Sequence, residues 1–97
     1  MVTKKLYVLV RKDLASSYQA VQAGHAVAKW LLHDKSWKNE TLIYLGVNDE
    51  QALKRWMDKL DYRQVPYVIF KEPDINNEIT ALATNGNSKL FNKLNLM

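Results

Sequence analysis

The residues in this chain whose types and spacing could do chemistry fall into two groups. In the first, Tyr18, Gln22, His25 and Lys29 stand four, three and four residues apart, so a helix would carry them as one polar stripe. Its early members would sit near the helix N-terminus, whose free N–H groups favour anions. Arg11 and Asp13 come just before. If a strand ends at Arg11, then Arg11, Asp13, Tyr18, Gln22 and His25 could converge on the crevice beyond the strand carboxyl ends, the usual ligand site of α/β sheets. The plainer alternative is a solvated helix face with His25 half-buried and satisfied, and spacing alone favours it.

The second group is Glu72-Pro73-Asp74-Ile75-Asn76-Asn77-Glu78. Three carboxylates and two amides in a connection could supply a base, orient a water or bind a hydroxyl. The alternative is a turn built from turn-forming residues. The segment that follows, Thr80-Ala81-Leu82-Ala83-Thr84, is small enough to let a neighbour approach closely. The chain has no cysteine, which excludes a disulfide, a thiolate nucleophile and a thiolate zinc site, and fits a reducing compartment. His25 and His33 lack a third ligand in register, so no metal site is expected. No glycine-rich phosphate loop and no Gly-x-Ser-x-Gly elbow occur.

The elements that would position these groups alternate. Residues 6–10 are a continuous apolar run, as in a strand buried on both faces. Residues 18–33 predict a helix, with Val21, Gly24, Ala28 and Leu31 as its buried stripe and Ser16 or Ser17 as its cap. Residues 41–47 predict a second strand. A second helix follows, with Asn48 and Gln51 as a capping box and Ala52, Leu53, Trp56, Met57 and Leu60 on one face. Strands are expected over 65–70 and 79–84, with a polar loop over 71–78, and a short terminal helix starting near Ser88. Trp56 is placed in the core, while Trp30 and Trp37 are candidates for partial exposure, with packing their expected role. The early strands should pair in parallel through right-handed crossovers. One α/β domain over 1–97 follows, with a mixed four-stranded sheet flanked by helices.

At 97 residues and 47% hydrophobic content, the chain can form one small core. The basic residues near its start and the short run after them predict neither a secretory leader nor a membrane span. A formal charge of +4 makes an anionic partner plausible, nucleic acid first, although many small domains carry such a charge for solubility.

The segment 6–14, Leu-Tyr-Val-Leu-Val-Arg-Lys-Asp-Leu, followed by Gln22-Ala23-Gly24-His25-Ala26, resembles the type II peptidyl-tRNA hydrolase signature. That signature is a hydrophobic strand, Arg-x-Asp, and a helix with Gln-x-x-His-Ala. Residues 70–74 leading into 79–83 resemble the acidic loop and final strand of the same domain. The resemblance implies a sheet of order 2-1-4-3 with strand 4 antiparallel to the rest. It implies hydrolysis of the ester between a peptide and the tRNA 3′ end in the cytoplasm, with tRNA as partner and no cofactor. Carried over by position, the site residues are Arg11, Asp13, Gln22, His25, Thr80, and either Glu72 or Asp74. The family's Gly-Lys pair entering the helix has no counterpart, since Ser16-Ser17-Tyr18-Gln19 stands there.

The expected chemistry is direct attack by water, with His25, Glu72 or Asp74 as base and Arg11 and main-chain donors at the oxyanion. Lys4, Lys5, Lys12, Lys35 and Lys38 are the candidate phosphate contacts. The rival expectation is a non-catalytic member that binds RNA or a protein, and edge strands make a homodimer reasonable.

Overall fold

The computed structural model describes residues 2–97. Four strands, β1 (Lys5–Arg11), β2 (Thr41–Val47), β3 (Tyr67–Glu72) and β4 (Glu78–Thr84), form one sheet in the order β2-β1-β4-β3. β1 and β2 are parallel, and β4 is antiparallel to both β1 and β3. Helix α1 (Ser16–His33) connects β1 to β2, and α2 (Glu50–Tyr62) connects β2 to β3. The expected mixed α/β sheet is therefore the observed one.

β1 is apolar without alternation because it is covered on both sides. Leu6, Val8 and Val10 face α1, and with Ala81 and Ala83 they pack against Ala23, Ala26, Trp30 and Trp37. Tyr7 and Leu9 face the other way, joining Leu45, Val47, Ile79 and Leu82 against Leu53 and Leu60 of α2 and Phe91 beyond the sheet. Alanine meets alanine on the α1 side, so the helix lies close to the sheet. On the α2 side large side chains interdigitate.

Several expectations change. The buried residues of α1 are Gln22, Ala23, Ala26 and Trp30, whereas Val21, Gly24, Ala28 and Leu31 are exposed. A Cβ added to Gly24 would meet nothing within 4 Å, so no close approach requires that glycine. Trp30 and Trp37 are buried, not partly exposed, their large rings filling space that the alanines of α1 and β4 leave beside Leu6, Val8 and Val10. Neither serine caps α1; its N-cap is Ala15, with no side-chain hydrogen bond. α2 is capped by Asp49, whose carboxylate accepts from the Ala52 N–H at 2.9 Å, rather than by Asn48. β3 begins two residues late and runs on to Glu72. The 71–78 loop thus shrinks to a 3-10 turn over Pro73–Ile75 and the left-handed pair Asn76 and Asn77, with φ of 59° at both. Asparagine tolerates that conformation better than most residues. The terminal helix is a short 3-10 turn, Ser88–Phe91, capped by Asn87.

One irregularity shapes the site. Between Phe70 and Lys71 the β3–β4 register shifts, with Phe70 opposite Ala81 and Lys71 opposite Ile79, so Thr80 has no partner. This is a β-bulge at Thr80. Ile79 packs with Leu82 on the α2 side, although strict alternation would put it with Ala81 and Ala83. The extra residue resets the alternation and turns Thr80 toward α1.

Candidate active site

Two polar networks stand at the end of the sheet where β1 and β3 finish and α1 begins. The first is built on Gln22, which is fully buried. Its amide nitrogen donates to Glu72 Oε1 at 2.8 Å, and its amide oxygen accepts from the Thr80 hydroxyl at 2.6 Å. Both ends of a buried amide are thereby satisfied, and the bulge is what brings Thr80 within reach. Glu72 Oε2 accepts from the Asp74 N–H at 3.3 Å. Donation from Gln22 holds the Glu72 carboxyl below its ordinary range against the opposing effect of burial. The Asp74 amide, Tyr18 and the nearby His25 add to the effect. Half-buried Tyr18 is shifted upward, first by desolvation and then by the Glu72 charge.

The second network centres on Arg11, only 7% exposed. Its Nε and Nη2 donate to the two carboxylate oxygens of Asp13, both at 2.9 Å. Its Nη1 donates to Glu78 Oε1 at 2.8 Å and to the Ile79 carbonyl at 3.2 Å. The Asp13 hydrogen bond raises the Arg11 pKa still further above its ordinary value, and Arg11 lowers that of Asp13. The Ile79 N–H, also freed by the bulge, donates to Glu50 Oε2 at 2.8 Å. Side chains from β1 and α2 thus take up the backbone groups of Ile79. With four N–H contacts made inside the protein, Arg11 is a clamp joining β1 to the start of β4, not a free cation beside Gln22.

His25 lies on the exposed side of the same helix. Its ring is stacked flat on Phe70, with centroids 4.3 Å apart and planes 5° apart. The pair forms part of a groove of about 620 Å³ between α1 and β3, walled also by Lys29, Leu32, Ile69 and Lys71. Gln22, Glu72 and Thr80 are therefore in contact, with Tyr18 and His25 beside the same carboxylate. The side chain of Asp74 is exposed and outside the network. Arg11 and Asp13 form a separate cluster.

The candidate phosphate contacts are dispersed. Lys4 precedes β1, and its carbonyl accepts from the Thr41 N–H at the start of β2. Lys5 opens β1, and Lys35 and Lys38 lie in the α1–β2 connection. All four are at the end of the sheet opposite Glu72, roughly 20 Å away by the rise of a seven-residue strand. Lys12 is at the right end, but its aliphatic chain lies over Gly46, where an added Cβ would come within 2.7 Å of it. Its side chain lines a cavity beside α2 rather than the α1 groove. Glu50 was not singled out by sequence, and Phe70 and Glu78 stood within the quoted segments without a role of their own. An aromatic ending a strand and an acid at a turn are too common to stand out, and the bulge has no local sequence signature.

No family model and no curated protein matches the chain. Among solved structures, a protein of unknown function from Agrobacterium tumefaciens strain C58 is similar to it, with a TM-score of 0.73 at 12% identity. The superposition covers 100% of this chain and 99% of that one. At that identity the likeness extends to the fold alone.

Proposed function

We propose that the chain hydrolyses the ester between an N-blocked aminoacyl or peptidyl group and the 3′ end of tRNA, in the cytoplasm. The observation that carries this reading is the Thr80–Gln22–Glu72 relay beside His25. Three positions of the resemblance, distant in sequence, meet there as one network. Glu72 rather than Asp74 is the acid of this reading, because it alone is held by Gln22.

In the proposed reaction, Glu72, kept ionised, accepts a hydrogen bond from a water and orients it toward the ester carbonyl carbon. His25 takes the proton as the water oxygen attacks. The tetrahedral intermediate collapses with departure of the tRNA 3′ oxygen, which recovers that proton, and the peptide leaves as a carboxylic acid that then ionises. Gln22 and Thr80 act as positioning residues behind Glu72. Arg11 and Asp13 fix the β1–α1 connection. The groove offers a stacked His25–Phe70 surface for the terminal base, with Lys29 and Lys71 at its sides for phosphates.

A second reading, RNA binding without turnover, is favoured by the internal pairing of Arg11 and by the absence of a lysine at the entry to α1. Release of an N-blocked aminoacyl group from tRNA, measured for wild type and His25→Ala, separates the two. Turnover that falls at least tenfold in the variant supports hydrolysis through His25. Unchanged turnover removes the histidine role, and salt-sensitive tRNA binding without turnover selects the second reading.

A further inference from the structure

A cavity of about 440 Å³ lies on the other side of the molecule from the His25 groove, where β2 ends and α2 begins. Its walls include Lys12 after β1, Arg55 and Lys59 on α2, and Lys93 in the terminal segment. No carboxylate lines it, although the chain has ten acidic residues. None of the four cations is in an ion pair among the described residues. The neighbouring acid Asp49 is turned to the α2 backbone as its cap. Asn48 and Asn95 add amide groups to the wall. Four like charges from three separate parts of the chain repel one another across one concavity, and an anion there would relieve that repulsion.

The cavity is held open by structure. Gly46 lets the Lys12 stem lie flat, since a side chain there would collide with its Cγ and Cδ. The Gly46 N–H donates to the Asn95 carbonyl at 3.1 Å, which fixes the terminal segment, and with it Lys93, along the free edge of β2. Trp56 forms part of the wall, its ring packed at 5.1 Å from Phe91 and covered by the Lys59 ammonium at 4.8 Å. Both contacts occupy the indole, so no nucleobase is expected to stack on it.

We propose that this cavity binds a compact oligophosphate group, at the scale of pyrophosphate or the phosphates of a nucleoside di- or triphosphate. Concavity favours this over a nucleic acid strand, which needs an extended basic track rather than four cations gathered around one depression. The site is independent of the hydrolase reading and shares no residue with the Gln22–Glu72 network.

The test is titration of the full chain with pyrophosphate, ADP and a single-stranded RNA oligomer at constant ionic strength. It is followed by Trp56 fluorescence and by amide shifts of the residues around Gly46, Arg55 and Asn95. Saturable one-to-one binding of pyrophosphate and ADP is expected, weakened about tenfold or more by Arg55→Glu, since a charge-assisted phosphate contact is lost. Lys93→Glu should act in the same direction, while Lys5→Glu at the far end of the sheet should leave binding within about twofold. Arg55 and Lys93 reach the solvent-facing wall, and thermal melting of both variants checks that the fold is kept. Three outcomes overturn the proposal: no saturable binding at millimolar pyrophosphate, equal weakening by Lys5→Glu, or binding by RNA alone.

Discussion

The two helices pack against the same sheet in different ways. α2 is an ordinary amphipathic helix: Leu53 and Leu60 are fully buried, Trp56 and Met57 partly so, and its polar residues after Glu50 face outward. α1 buries Gln22 as completely as Ala23 and Ala26, yet leaves Val21 53% and Leu32 83% exposed. Hydrophobicity decides which side of α2 faces in. On α1 the decision comes from small size, which permits close approach, and from a polar partner waiting in the sheet. α1 gives up apolar burial to place a glutamine beside a carboxylate, whereas α2 is organised around the core.

This difference can be broken or sharpened in order of effect. Leu60→Ala on the α2 side should destabilise by about 2–5 kcal/mol, read from denaturant midpoints, since it opens a cavity among large side chains. A much smaller loss would mean that the α2 layer can collapse around the gap. On the α1 side, Gln22→Leu should cost about 1–3 kcal/mol despite its similar volume, because the Thr80 hydroxyl and the Glu72 carboxylate lose a partner. Adding Thr80→Val should recover part of that loss. Simple additivity of the two substitutions would disprove the relay.

Acid should separate the helices next. The folded-state pKa of Glu72 is depressed, so its stabilisation is complete above the ordinary value of 4.5 and is lost as pH falls through the lower folded-state value. Asp34, held at about 2 chiefly by the Thr3 hydroxyl and the backbone N–H of Ser36, adds to the same acid-side loss. Melting temperature should therefore decline below pH 4.5 in the wild type, and less steeply in Glu72→Gln. Glu72, on the α1 side, is the one buried carboxylate among the described residues, so Leu60→Ala should shift the whole profile without changing its shape. Parallel profiles for wild type and Glu72→Gln would contradict the assigned shift. The smallest effect is Val21→Ser, expected within about 0.5 kcal/mol by thermal melting. A larger loss would restore the apolar stripe that periodicity alone assigns to α1.

Much of the fold was legible because its causes are local or periodic. β1 announces a doubly covered strand by its unbroken apolar run, β2 ends where Gly46 and Asn48 place it, and α2 carries its buried face at helical spacing. The site was legible only in part. The spacing of Gln22 and His25 puts them on one helix, but on an isolated helix a glutamine reads as solvated. Only the carboxylate of Glu72 and the hydroxyl of Thr80, brought in by β3 and β4, make its burial favourable.

Sequence by itself therefore determined the order of elements, the two-sided burial of the central strand and the inward face of α2. These depend on propensity and on apolar residues at fixed intervals along the chain. Tertiary structure alone decided the inward face of α1, the extra residue that swings Thr80 across the sheet, and the sorting of lysines between its two ends. Each of these depends on which groups meet across the sheet, and a polar side chain has no preferred side until its partner is in place.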